Sequence, residues 1–253
     1  MKLGAQLFSL RNYLKNPDGL RETMQKLKDM GYECVQLSGA APMDANEIAK
    51  IVNDLDMPIV NTHSPLNRIL NDTENLINEH KTFGCYEIGL GYLTPEQRES
   101  KAGLEALLEQ LEEPVKKIEA AGLHFAYHNH DFEFAKLPDS DKVIYDILLE
   151  KCPNWKFIVD TYWMEFAGVD VIDCLNRIGA ERLENVHFKD MATDEKHSIC
   201  ACGDGTLDFA KIYEVCKELG VKTVLVEQDN AVDFADPFGE MEKSFKHLRP
   251  IIK

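Results

Sequence analysis

Residues Tyr127 to Phe134, YHNHDFEF, hold the densest group of proton carriers and metal ligands in the chain. Side chains along an extended strand alternate between faces, so His128 and His130 share one face and Asn129 takes the other. If Ala126 faces a buried interior, both imidazoles do too, and each needs a partner, because a buried polar group without one costs about 1–3 kcal/mol. Later stretches offer such partners: Asp160 in FIVDTYW, His187 in NVHFKD and Glu227 in VLVEQD. With His128 they form a mixed nitrogen and oxygen set, which suits Mn2+, Zn2+ or Fe2+ better than Ca2+ or Mg2+ because imidazole prefers the transition metals. Mn2+ is the expected ion, with Zn2+, Fe2+, Co2+ or Mg2+ as alternatives. A metal-free hydrogen-bonded pair of Asp160 and His187 is the structural alternative, and it leaves the rest of the set unexplained.

Positioning these groups is the task of a single repeated pattern: a short β-branched or apolar run, a polar loop, then a longer segment of helical period. Strands are expected in KLGAQLFSL, ECVQLSG, PIVNTHSP, CYEIGLG, LHFAYHNH, WKFIVDTYW, LENVHFKD and KTVLVEQD, each followed by a helix. Gly31 closes the first helix as a C-terminal signal, and Pro114 is expected to kink or divide the fourth, LEALLEQLEEPVKKIEAAG. Strict alternation demands parallel strands joined by right-handed crossovers. Eight such units in 253 residues match the size of an α/β, (β/α)8 TIM barrel, with residues 1–253 read as one domain. A doubly wound open sheet is the competitor, but its G-x-G-x-x-G signature is missing after the first strand.

Functional groups of a parallel barrel collect where strands run into the following loops. Polar residues fall there: Gln6 and Ser9, Gln36 and Ser38, His63, His128 and His130, Asp160, His187 with Lys189 and Asp190, and Glu227 with Asp229. Strand starts are apolar or ordinary helix caps. In a closed barrel the ends of strands five to eight are neighbours, so the four expected ligands converge on one mouth.

Composition narrows the function classes. At 44% hydrophobic and 28% charged, without low-complexity tracts, the chain reads as a compact globular protein. A net charge of −16 repels a phosphate backbone, and no Lys/Arg cluster makes a local groove, so no nucleic-acid partner is expected. No run approaches a membrane span, and MKLGAQLFSLRNYL carries Arg11 and no small-residue cleavage pattern, so a cytoplasmic protein without membrane contact is expected. Seven scattered cysteines do not resemble a disulfide framework. Cys200 and Cys202 are spaced C-x-C, but no second pair completes a structural zinc site.

The ordered motifs HNHDFEF, VDTYW, HFKD, GDGTLDF and VEQD resemble the sugar phosphate isomerase/epimerase family, the xylose isomerase-like TIM barrels that include inosose dehydratase and ketose 3-epimerases. The resemblance runs from GAQLFSLR to SFKHL, nearly the whole chain. It implies one divalent metal held by a carboxylate from strand five, an Asp from strand six, a His from strand seven and a carboxylate from strand eight. Asp160, His187 and Glu227 match the last three. Epimerases carry Glu at the first position and this chain has His128, so either His128 or Glu133 completes the set.

The chemistry implied is removal of a proton next to a carbonyl and stabilisation of the enediolate, with the cation as Lewis acid and side chains as base and acid. On that reading Glu227 is the expected base, His130 a second acid or base, and Lys189, two residues beyond His187, a cation that offsets the enediolate charge. Substrate contacts are expected from His63, Gln6, Glu133, Trp163 and Asp190, with Tyr162 and Trp163 as an apolar wall against a sugar ring. The expected partner is a small-molecule sugar, and a homo-oligomer is open. Isomerase or epimerase activity leads. Histidine in the strand-five position favours an imidazole that protonates a leaving hydroxyl or glycosidic oxygen, so a lyase on a keto-sugar or keto-glycoside is the alternative. Endonuclease IV, a DNA-cleaving relative with three metals, needs more ligands and a basic face; a non-catalytic sugar-binding barrel is the remaining reading. Gly203 and Gly205 are the only candidates for a phosphate cradle, and a tight loop explains them more simply.

Overall fold

A computed structural model describes every residue, Met1–Lys253. Eight strands close into a barrel: β1 (Lys2–Gln6), β2 (Cys34–Leu37), β3 (Ile59–His63), β4 (Glu87–Leu90), β5 (His124–His128), β6 (Lys156–Asp160), β7 (Leu183–Phe188) and β8 (Thr223–Val226). Each pairs in parallel with its sequence neighbours, and β8 returns to β1. Strands buried on both faces read as near-continuous apolar runs; TVLV of β8 is buried throughout.

Helices cover the outside. The first, Pro17–Met30, begins at Asn16, whose side chain accepts from the Gly19 amide, and ends at Gly31 with φ 108°, a left-handed stop that glycine adopts freely. A core cluster of 59 buried apolar residues lies at the packed sheet and helices, while Ala126, Ile158 and Leu225 are buried outside that cluster. Apolar packing therefore concentrates outside the barrel wall, and the barrel interior is left to a thin apolar plug and polar side chains. At the floor, Glu87 accepts from Asn61 Nδ2 at 3.2 Å and Asn185 Nδ2 at 2.8 Å. Burial lifts its carboxyl from 4.5 to about 7, against the pull of Asn185 and Asn61.

Three local features differ from the sequence expectation. Strand one stops at Gln6, because Gln6 Oε1 accepts from the Phe8 amide at 2.8 Å and starts a 3-10 segment, Leu7–Tyr13. Strand six stops at Asp160 in the same way: its Oδ1 accepts from the Trp163 amide at 3.1 Å and caps the helix Thr161–Phe166, which takes Tyr162 and Trp163 off the strand. Pro114 does not divide its helix, which runs from Lys101 to Ala120 with Pro114 on the same buried side as Leu111, Val115 and Ile118. Packing of that face holds the turn across the missing amide hydrogen bond. A two-residue ribbon, Asp190–Met191 with Ile199–Cys200, is an addition after β7. No helix is long and apolar enough to cross a membrane.

Candidate active site

Register brings the four expected ligands together. Asp160 at the end of β6 stands opposite His187 of β7, His128 ends β5, and Glu227 continues β8 with its amide bonded to the Phe188 carbonyl at 3.1 Å. All four are buried, and one ligand atom from each lies within 4.8 Å of the others. His187 Nδ1 is 2.8 Å from Glu227 Oε2 and 3.7 Å from Asp160 Oδ2, and His128 Nε2 is 3.4 Å from Asp160 Oδ2.

Orientation tests whether these residues fit a cation. Although 2.8 Å apart, His187 Nδ1 and Glu227 Oε2 are both without a hydrogen-bond partner, so close approach without donor geometry is what lone pairs aimed at a shared ion produce. The other nitrogen of His187 is 2.5 Å from Gln36 Oε1, an acceptor that fixes the proton on Nε2 and turns the Nδ1 lone pair inward. Charge fits as well. Asp160, Glu227 and Asp229 surround the single ammonium of Lys189, leaving two negative charges that a divalent cation neutralises.

Titration follows the same layout. Burial opposes charge on His187, but Glu227 and Asp160 outweigh it and raise the imidazole to about 9. Burial alone would raise Asp160 and Glu227; Lys189 and the imidazoles instead hold both ionised, below the usual carboxylate range. Lys189, 1% exposed, is pushed above its usual value by Glu227, Asp229 and Asp160 despite burial. Burial, helped by the neighbouring His128 and Lys189, lowers His130 to about 3.

Above the ligands lies a cavity of about 500 Å³ whose wall includes His63, Ser64, Tyr92, His130, Lys189 and Asp229. A hollow of about 590 Å³ lined by Gly122, Asn154 and Arg182 opens at the opposite, N-terminal end and carries no such constellation. His63 packs against His128 and His187 with ring centroids 4.8 Å and 5.8 Å away, and its Nε2 has no partner. Gly91 is required beneath it, since a Cβ there would come within 2.7 Å of the His63 ring. Lys189 Nζ donates to Asp229 Oδ2 at 2.7 Å, and Arg11 fixes the Asp229 backbone by donating to its carbonyl at 2.8 Å. Trp163 stands beside both His130, 5.2 Å between centroids, and Lys189, whose Nζ is 5.1 Å from the ring centre.

Three expected substrate contacts are corrected. Glu133 does not reach the cavity: Oε1 accepts from the Tyr127 hydroxyl at 2.5 Å and Oε2 from the His130 amide at 2.7 Å, so it clamps the loop after β5 and stands outside the group His128, Asp160, His187 and Glu227. Asp190 turns into the next loop, where its carboxylate accepts from the amides of Met191, Gly203, Gly205 and Leu207. The amides of Gly203 and Gly205, the candidate phosphate cradle, are thus filled by an acidic side chain; a Cβ on Gly205 would lie 2.3 Å from Asp190 Oδ1. Gln6 acts beneath the cavity, its Oε1 on the Phe8 amide and its Nε2 3.5 Å from His63 Nδ1. Cys200 and Cys202 join no group of metal ligands, and all seven cysteines are free thiols. Sequence reasoning did not single out Gln36 as the partner of His187, nor Tyr92, whose ring is edge-on to His130 at 5.5 Å. A polar residue at a strand end was the available signal for Gln36; Tyr92 carried none.

Residues 24–251 match the family model described as xylose isomerase-like TIM barrel. No curated protein matches the sequence. Among solved structures, a sugar phosphate isomerase/epimerase from Parabacteroides distasonis ATCC 8503 is 21% identical with a TM-score of 0.82, each chain covered in full. L-ribulose 3-epimerase is 14% identical with a TM-score of 0.75, covering 99% of this chain and 94% of that one. The IolI protein, solved with a bound zinc atom, is 15% identical with a TM-score of 0.76, covering 100% and 98%. At these identities the structures establish a shared fold.

Proposed function

Because the chain belongs to the xylose isomerase-like TIM barrel family, we propose that it is a divalent-metal-dependent isomerase or epimerase of a sugar or keto-sugar, working by proton removal next to a carbonyl. The observation that carries this reading is the pair His187 Nδ1 and Glu227 Oε2, 2.8 Å apart and both unpartnered, beside Asp160 and His128. These four residues would hold the ion. When bound, a divalent cation supplies Lewis acidity toward the oxygens of a carbonyl and its neighbouring hydroxyl.

Side chains supply the rest. Glu227, ionised and facing the cavity, removes the proton from the carbon beside the carbonyl. Lys189, held charged by three carboxylates, stands where negative charge develops and stabilises it electrostatically without needing to reorganise. His130 reaches the same cavity from the β5 loop and is the second acid or base of this reading, returning a proton at another atom. Tyr92 and Trp163 flank His130, with ring centroids 5.5 Å and 5.2 Å from it. His63 Nε2, unpartnered beside the ligands, contacts a substrate oxygen.

Elemental analysis of the purified protein tests the ligand set. One equivalent of transition metal is expected in the wild type and much less in Asp160→Ala and Glu227→Ala; equal metal in all three would remove the basis of the proposal.

A further inference from the structure

Beside the cavity, on the β3 side, runs a buried polar chain that the proposed reaction leaves unused. His80 on the helix Thr73–Phe83 places Nδ1 2.7 Å from the Leu76 carbonyl and Nε2 2.9 Å from Thr62 Oγ1; Thr62 Oγ1 is in turn 3.0 Å from Ser64 Oγ. His80, Thr62 and Ser64 are 2%, 4% and 7% exposed, and Ser64 ends the chain at the cavity wall.

The direction of every hydrogen in this chain follows from its first link. A carbonyl oxygen only accepts, so His80 Nδ1 carries a proton. Burial lowers the His80 imidazole to about 4, only partly offset by the bond to Leu76, so the ring holds one proton near neutrality and Nε2 is a bare lone pair. Thr62 must then donate its hydroxyl hydrogen to His80. That leaves Thr62 Oγ1 as an acceptor, and Ser64 donates to it. With its only hydrogen committed, Ser64 Oγ, in a residue of the cavity wall, has only lone pairs to offer a further partner. Its backbone cannot swing away, because the Ser64 amide donates to the Gly89 carbonyl at 2.8 Å.

We propose that Ser64 is a specificity-determining residue, locked by Thr62 and His80 as a hydrogen-bond acceptor, and that it selects a substrate presenting a hydroxyl at the β3 side of the mouth. A phosphate or carboxylate oxygen, which only accepts near neutral pH, meets a lone pair there and is disfavoured. The inference rests on the carbohydrate reading of the site for its substrate and on the hydrogen-bond chain alone for its polarity. Thr62 and His80 are positioning residues, acting through Ser64.

Two measurements test it. Nitrogen-15 NMR of histidine-labelled protein reports the His80 tautomer at neutral pH: protonated Nδ1 and bare Nε2 are expected, and the Nε2–H tautomer would overturn the polarity whatever the substrate. Affinities of the Mn2+-loaded protein for D-fructose, D-tagatose and their monodeoxyfluoro analogues then read the selectivity, since fluorine replaces a hydroxyl without donating. Wild type is expected to lose about 10-fold at one fluorinated position, the scale of one buried hydrogen bond. In Thr62→Val, where the Ser64 hydrogen is released, and in Ser64→Ala, that loss should shrink to about twofold or less. Equal ratios in wild type and Thr62→Val at every position would overturn the proposal. If wild type bound none of these ketoses, the carbohydrate reading and the hydroxyl selectivity would fall together, while the tautomer result would still decide the polarity of Ser64.

Discussion

Replacing Gln36 by Leu isolates the one contact that orients His187. Gln36 is fully buried, its Oε1 bonds His187 Nε2 at 2.5 Å, and its Nε2 has no partner, so an apolar side chain of similar size removes an unsatisfied amide along with the bond. The fold should tolerate the change. The imidazole N–H, however, loses its only acceptor in a buried place, a penalty of about 1–3 kcal/mol. Ring tilt or the opposite tautomer relieves that penalty, and both take the Nδ1 lone pair away from Glu227 and Asp160. At about 1.4 kcal/mol per tenfold, Mn2+ or Zn2+ affinity should fall by roughly 5- to 150-fold, which brackets the roughly 10- to 100-fold typical for groups that support a metal-binding histidine. Calorimetric titration of chelator-stripped protein measures it, with Gln36→Glu, which keeps an acceptor, expected to retain most of the affinity. A folded Gln36→Leu variant with wild-type affinity would show that His187 is not held for a metal by this bond.

Lys189→Met removes the only ammonium among Asp160, Glu227 and Asp229, and kcat should drop by about 10²–10³ with a smaller change in KM, as for loss of one preorganised charge at a reacting centre; a kcat within tenfold of wild type would exclude that role. Asp190→Ala strips the acceptor from the amides of Met191, Gly203, Gly205 and Leu207 and should cost about 3 kcal/mol, lowering Tm by roughly 6–12 °C, which thermal unfolding reads directly. Glu87 provides a pH signature: burial raises its folded-state value from 4.5 to about 7, so the folded protein binds this proton more tightly and stability falls as pH rises through that window. Denaturant unfolding should show wild type losing about 2–3 kcal/mol between pH 5 and pH 8 relative to Glu87→Gln, and parallel pH profiles would refute the assignment.

Much of this layout was legible in the sequence because two simple periods fix it. Alternation along β5 puts His128 on the inner face, the loop beyond its end keeps His130 beside it, and the order of parallel strands makes Asp160, His187 and Glu227 neighbours of His128. What escaped was set by pairings remote in sequence or by competition for the same side chain. Gln36 lies 151 residues from His187, and no local pattern links them. Asp190 follows a strand of inward-facing ligands, yet four loop amides capture its carboxylate. Glu133 is one of the two candidates for the fourth ligand that the family resemblance leaves open, yet Tyr127 and the His130 amide hold it in the loop. Strand ends were misplaced at Gln6 and Asp160 because each side chain caps the turn that follows, a local hydrogen bond that overrides the extended propensity of LFSL and TYW.

The central claim is proton removal beside a carbonyl at this site. Its most direct test is mass spectrometry of ketoses and keto-inositols incubated in deuterium oxide with protein carrying one equivalent of Mn2+. The expected result is uptake of one deuterium next to the carbonyl of at least one of them, lost on chelation and in Glu227→Gln; no uptake into any of them by the metal-loaded wild type would contradict the account.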